Sequence, residues 1–230
     1  FLHFKKQAFK EEEWIKLIQK TKKLGIKIYC DIFGEKALKL AKELDVDGFK
    51  IHSSDLNNKY LLNALLDIDS DKEIIISCGG SNIREIYYAL NILKNKNPIT
   101  LMHGFQSYPT EVEDSNLRRL DWLKRNFGDY YNIGYQDHVA GENIFATALP
   151  LLAILKGATT IEKHITLDRS AKGVDYYSSL EPKEFLDFVI NVEKSISALG
   201  SEEVLFSQAE IKYRNSVKKR IVSTKEIKKG

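Results

Sequence analysis

Six short apolar runs, partly β-branched, recur along the chain as IKIYC (26 to 30), GFKIH (48 to 52), EIIIS (73 to 77), ITLMH (99 to 103), NIGYQ (132 to 136) and TIEKHITL (160 to 167). Their starts lie 22, 25, 26, 33 and 28 residues apart, and segments of helical period fill the intervals. Strands that are apolar on both faces and alternate with helices build βα units around a parallel sheet. Two architectures meet that demand, a doubly wound sheet and a (β/α) barrel. No GxGxxG turn follows any of the runs, so the commonest doubly wound signature is missing. Polar residues stand at the C-terminal end of every run: Asp31, Lys50 with Ser53, Ser77, His103, His138 and His164. That end carries the chemistry in barrels. The chain therefore reads as α/β, a (β/α)8 TIM barrel with six of its eight strands visible, the first two expected before Phe1.

Between the runs, EEEWIKLIQKTKKLG places Trp14, Leu17, Ile18 and Leu24 on one helical face and stops at Gly25. SNIREIYYALNILKNK begins at a capping Ser81 and repeats Ile83, Ile86, Tyr87, Leu90 and Leu93. In EPKEFLDFVINVEKSISALG, Pro182 occupies a first helical position ahead of Phe185, Phe188, Val189 and Val192. Residues 1 to 200 form the expected barrel domain, incomplete at its N-terminal side. Residues 201 to 230, with eight Lys or Arg between Lys212 and Lys229, read as a linker and the start of a further domain.

Composition narrows the function. Thirty-five Lys and Arg against 32 Asp and Glu leave a net charge of +3 with the signs mixed, a poor footprint for a nucleic-acid binder. Only two cysteines, Cys30 and Cys78, fit a reducing compartment better than a disulfide framework, and the expected location is cytoplasmic. No apolar run approaches the ~20 residues that span a bilayer, so no membrane partner is expected.

One histidine at a strand end is usually a hydrogen-bonded wall residue. Two on adjacent strands, His138 in GYQDH and His164 in IEKHITLD, instead suit a divalent ion such as Mn, Fe, Co or Zn, with water or substrate oxygens in the remaining positions. Asp137 and Glu162 are the natural partners to orient them, with salt bridges inside the barrel as the competing account. Lys50 sits in an apolar strand, where a charge needs either an anionic ligand or a buried carboxylate such as Asp31. With Ser53, Ser77 and the glycines of SCGGSN it makes a phosphate cradle, although Gly79 and Gly80 also suit a plain turn. In HGFQSYPTEVEDSN, Gln106 and Tyr108 can donate to an anion or a sugar. Asp175 in GVDYYS either faces a ligand or caps the next helix.

Taken in order, FKIHSSD, SCGGSN, HGFQSYPT, GYQDH, IEKHITLD and KGVDYYSSLEP resemble the sialic acid synthase (N-acetylneuraminate synthase) family, from about Trp14 onward. The resemblance implies a cytoplasmic, homodimeric enzyme of carbohydrate biosynthesis. It would condense phosphoenolpyruvate with an N-acetylated hexosamine, N-acetylmannosamine or a related acetamido sugar, to a nine-carbon 2-keto sugar acid, releasing phosphate. It further implies a divalent metal cofactor on His138 and His164, Mn first and Mg, Co or Zn as alternatives. Lys50, Ser53, Ser77, Gln106 and Gln136 match the phosphoenolpyruvate site, and Asp55, Asp175 and Tyr108 match groups that contact the sugar or assist proton transfer. The family's general-base strand and its C-terminal antifreeze-like domain have no counterpart in this sequence. Gln106, Gln136 and Asp55 depart from the family's usual residues, which bears on the sugar rather than the reaction. The alternatives are another phosphoenolpyruvate-dependent keto-deoxy sugar acid synthase and a non-catalytic ligand-binding barrel. A two-metal hydrolase would need a His-x-His pair that this sequence lacks.

Overall fold

The computed structural model describes residues 8–230. All six expected strands form: β1 (Tyr29–Asp31), β2 (Gly48–Ile51), β3 (Glu73–Ser77), β4 (Ile99–His103), β5 (Asn132–Asp137) and β6 (Thr160–Ile165). A seventh, β7 (Ser179–Leu180), was not expected: two residues are too short to carry a periodic signal, and the strand exists only through its rungs with His164 and Ile165. The strands lie in sequence order, each parallel to the next. Among the described residues β1 pairs only with β2 and β7 only with β6, so the sheet is a curled part-barrel. The two further strands of an eight-stranded closure are not among the described residues.

Helices α1 (Glu11–Lys23), α2 (Glu35–Glu43), α3 (Lys59–Ala64), α4 (Ile83–Leu93), α5 (Arg118–Phe127), α6 (Phe145–Leu155) and α7 (Pro182–Leu199) alternate with the strands, and α8 (Gln208–Val217) follows. Their caps are mostly those the sequence supplies. Gly25 takes φ +71° just past α1, and Pro182 opens α7. The cap of α4 is Asn82 rather than Ser81: its side chain accepts from the backbone N–H of Arg84 and Glu85, and Glu85 reaches back to its N–H. Inside the expected linker, Ser207 and Glu210 form another capping box that starts the exposed helix α8.

The core lies between the outer face of the sheet and the helices. Phe49, Ile51, Ile74, Ile76, Leu101, Ile133 and Tyr135 meet Leu38, Leu61, Ile86, Leu90, Leu120, Leu123, Leu149 and Ala153. One expected face is not covered among the described residues. Of the α1 stripe only Ile18 is buried, and Trp14 and Leu17 instead line an open groove of about 560 Å³ beside the unpaired side of β1. No described helix is long and apolar enough to cross a membrane.

Candidate active site

Successive residues of a strand point to opposite faces, so the residues two apart on each strand share the concave side of the curled sheet. On that side Lys50 Nζ of β2 lies 2.8 Å from Glu162 Oε1 of β6 and 3.7 Å from Asp31 Oδ2 of β1. Next to them, Ser77 Oγ at the end of β3 donates to Gln136 Oε1 of β5 (3.1 Å), and Gln136 Nε2 donates to the carbonyl of Gly104 (2.9 Å). The backbones at these strand ends nearly touch. A Cβ on Gly79 would sit 2.1 Å from the Gly104 carbonyl oxygen, and one on Gly104, at φ +127°, would sit 2.1 Å from that of Gln136. Only glycine allows that approach.

The loop after β4 is folded back onto the end of β5. Thr110 N–H donates to the His138 carbonyl (2.8 Å), and Ser178 Oγ donates to the same oxygen (2.6 Å). The Thr110 bond ties the Tyr108 loop to the end of β5, while Ser178 ties the segment before β7 to the same oxygen. The Tyr108 ring stands edge-on to His138 (centroids 5.0 Å, 84°) and to His164 (5.5 Å, 90°), while the two imidazoles lie 5.1 Å apart. Asp175, in the left-handed region at φ 55°, makes no side-chain cap and instead brings Oδ2 to 4.0 Å from His164 Nδ1.

The electrostatics follow from burial beside these charges. Burial holds the His138 imidazole down at about 3, with the neighbouring His164, Lys50 and Lys163 adding to the effect. His164 is lowered too, chiefly by burial, against the opposing pull of Asp175 and Glu162. Both rings are therefore neutral near pH 7. The Tyr108 phenol is pushed up to about 12 by burial and then by Asp175, Glu162 and Asp31, so it keeps its proton. Burial raises the Asp31 carboxyl, and Lys50 opposes that rise.

These residues fit a divalent ion. Two neutral imidazoles face one another, and His138 Nδ1 is buried without a hydrogen-bond partner among the described residues, an orphan of the kind that calls for a ligand. No cluster of three His, Cys, Asp or Glu able to hold a metal occurs among the described residues, so substrate oxygens or water would complete the shell.

Comparison with known proteins decides the family. Residues 1–204 match the model of the NeuB family. This chain belongs to the NeuB family. It is 36% identical over 218 residues to the N,N'-diacetyllegionaminic acid synthase of Campylobacter jejuni, covering 93% of this chain and 63% of that protein. It is 35% identical over 229 residues to an uncharacterized protein of Methanocaldococcus jannaschii, covering 99% of this chain and 65% of that one. The chain thus spans under two thirds of the length of these relatives. Its fold matches the crystal structure of the N-acetylneuraminic acid (sialic acid) synthetase of Leptospira borgpetersenii in complex with citrate, with TM-score 0.78, 35% identity, and 93% of this chain and 73% of that one covered.

Within this NeuB-family chain the expected site residues separate into groups. Tyr108, His138, His164 and Asp175 come together, with Lys50 close by, while Ser77 and Gln136 bond to each other. Asp55 lies in the bend after β2, where its Oδ1 accepts from Asn58 Nδ2 (2.8 Å). Ser53 and Gln106 are half-buried, and no hydrogen bond ties either to the cluster among the described residues. Neither expected orienting carboxylate serves its histidine. Asp137 precedes His138 and so faces the opposite side of the sheet, where it pairs with Lys163 and accepts from Tyr135. Glu162 shares His164's face but is engaged by Lys50. Asp175, considered in the sequence only as a ligand contact or a cap, is the carboxylate that approaches His164.

Proposed function

We propose that this protein condenses phosphoenolpyruvate with the open-chain aldehyde of an acetamido sugar, giving a 2-keto sugar acid and phosphate. The observation that carries this reading is the Tyr108, His138 and His164 cluster beside the half-buried Lys50 ammonium, at the C-terminal ends of parallel strands. The names of the relatives support it: one makes a diacetylated sugar acid and another an N-acetylated one. N-acetylmannosamine is the first candidate sugar, and the corresponding diacetamido sugar the second.

In this reaction the terminal carbon of phosphoenolpyruvate bonds to the aldehyde carbon, whose oxygen gains a proton. Water adds to the former enol carbon, and phosphate leaves. Lys50 binds an anionic group of phosphoenolpyruvate by exchanging its contact with Glu162 or Asp31 for the substrate's oxygens. Gln136 still has a second Nε2–H to donate to a substrate oxygen, while Ser77, whose one O–H goes to Gln136, would have to turn that proton toward the anion to hold it. Tyr108, protonated at working pH, donates to a sugar oxygen rather than acting as a base. Asp175 accepts from a sugar hydroxyl. A divalent ion held by His138 and His164, Mn²⁺ before Mg²⁺, Co²⁺ or Zn²⁺, would stabilise the negative charge that develops on the aldehyde oxygen.

The test incubates the intact gene product with phosphoenolpyruvate, Mn²⁺ and each sugar in turn, following phosphate release and product mass. Release that needs both sugar and metal is expected. Phosphoenolpyruvate and metal binding without release from any sugar would replace this reading with a non-catalytic binding barrel.

A further inference from the structure

Behind the two histidines, on the outer side of the sheet, lies an ion pair with no role in the chemistry above. Asp137 and Lys163 form the last rung of the parallel ladder between β5 and β6. Their carboxylate and ammonium are in direct contact, with side chains 0% and 2% exposed. The Tyr135 hydroxyl donates to the other carboxylate oxygen at 3.0 Å. His138 and His164 are the next residue on each strand.

A buried pair of this kind is weak evidence for stability, because losing two hydration shells offsets most of the attraction and well-packed apolar residues often do as well. Its better-attested use is to choose one arrangement among several. Here the alternatives can be named. A slip of one residue between β5 and β6 would turn every side chain of one strand to the wrong face, and the buried core already forbids it. A slip of two residues keeps the faces. In the direction that sets Asp137 opposite Ile165, Ile133 would meet Ile161 and Tyr135 would meet Lys163, and every apolar side chain would keep its buried face, so alternation alone does not forbid that slip. That slip would carry one histidine about 6.6 Å along the strand relative to the other, out of reach of a shared ion. It would also set Asp137 opposite Ile161 or Ile165 and leave two buried charges unpaired.

We infer that Asp137 and Lys163 are positioning residues, whose contact fixes the β5–β6 register and so holds His138 and His164 side by side as a two-imidazole metal site. The inference rests on the proposed reading of these histidines as metal ligands. Tyr135 belongs to the same device, since its hydroxyl fixes which carboxylate oxygen is left for Lys163.

The deciding variant is the apolar double replacement Asp137→Leu with Lys163→Met. Three quantities are measured on metal-free protein: the thermal midpoint, the inter-strand amide NOEs between β5 and β6, and Mn²⁺ affinity by electron paramagnetic resonance. The expected result is an unchanged or higher midpoint, shifted or doubled NOEs, and Mn²⁺ affinity weakened by about tenfold or more, the usual scale for losing support behind a metal ligand. A folded double variant with native NOEs and Mn²⁺ affinity within about twofold of the parent overturns the inference. Should the double variant not fold, Asp137→Asn keeps the shape and removes the charge. A smaller loss of Mn²⁺ affinity at full folding is then expected, and unchanged affinity overturns the inference. Failure of the underlying metal reading is visible separately, as a parent protein that binds no divalent ion. The NOEs of the variant still decide the register claim in that case.

Discussion

Lys50 on β2 and Glu162 on β6 meet at 2.8 Å although four strands apart in the sheet, which is possible only because the sheet curls until its two halves face each other. The contact places a cation between two carboxylates, Glu162 and Asp31. The anionic substrate proposed for this site would have to compete for it, and the competition is what makes the proposal testable.

Replacing Lys50 by alanine removes the cation proposed to bind phosphoenolpyruvate and leaves Glu162 and Asp31 to repel it. The expected outcome is a KM for phosphoenolpyruvate raised roughly tenfold to a hundredfold, the scale of one charge-assisted hydrogen bond of about 1.5–3 kcal/mol. The KM for the sugar should move far less. Steady-state kinetics with each substrate varied separately checks this, and equal losses for both would make Lys50 a structural residue.

Tyr108 touches both histidines through its ring and, in the proposed function, donates to the sugar through its hydroxyl, so two substitutions separate the roles. Tyr108→Phe keeps the edge-on contacts at 5.0 and 5.5 Å. It should bind Mn²⁺ normally but lose turnover. Tyr108→Ala also gives up two aromatic contacts, each about 1 kcal/mol, and should loosen the metal as well. Calorimetric Mn²⁺ titration beside turnover distinguishes them. Equal metal affinity in the two variants would show that the ring does not support the histidines.

Much of this was legible in the sequence, for identifiable reasons. The βα period survives because strands buried on both faces must be continuously apolar, and His138, His164 and Lys50 stood out as polar exceptions at the ends of such strands. Asp55 bonds locally to Asn58, a contact of a turn residue that no sequence pattern reports. Asp137 beside His138 looked like its partner until strand alternation sent it to the other face. The carboxylate that does approach a histidine, Asp175, sits in an irregular loop at positive φ, and only the folded chain brings it to His164.

The glycines at the strand ends carry a stability prediction. Gly104→Ala would drive a methyl into the Gln136 carbonyl and force a side chain into φ +127°. A loss of about 2–4 kcal/mol is expected, lowering the thermal midpoint by roughly 5–15 °C for a chain of this size. Gly173→Ala, with nothing within 4 Å of the new methyl, is the control and should leave the midpoint where it was. Similar midpoints for both variants would mean the strand ends can spread.

His103 gives the fold an acid limb. It is buried on β4, where its Nε2–H donates to the Ser115 carbonyl at 2.9 Å, and burial lowers its pKa below the ordinary 6.5. The unfolded chain therefore binds a proton below pH 6.5 that the folded chain refuses. Stability from this group is complete above that pH and is lost as pH falls through it. Urea midpoints should decline from pH 6.5 downward, less steeply in His103→Gln, and parallel declines would assign the limb to other groups.

The metal proposal ends in a thermodynamic requirement that does not depend on turnover. An ion that binds only the folded protein stabilises it by RT ln(1 + [L]/Kd), about 2.7 kcal/mol at a hundredfold excess over Kd. Mn²⁺ should therefore raise the thermal midpoint of the parent, and a chelator should reverse the rise. His138→Ala removes one of the two imidazoles and the buried Nδ1 that has no hydrogen-bond partner among the described residues. This variant should unfold at nearly the same temperature with or without Mn²⁺, because one remaining imidazole holds an ion too weakly to shift the equilibrium. A Mn²⁺-dependent rise as large in His138→Ala as in the parent would locate the ion elsewhere, and the pairing of His138 with His164 would then need another purpose.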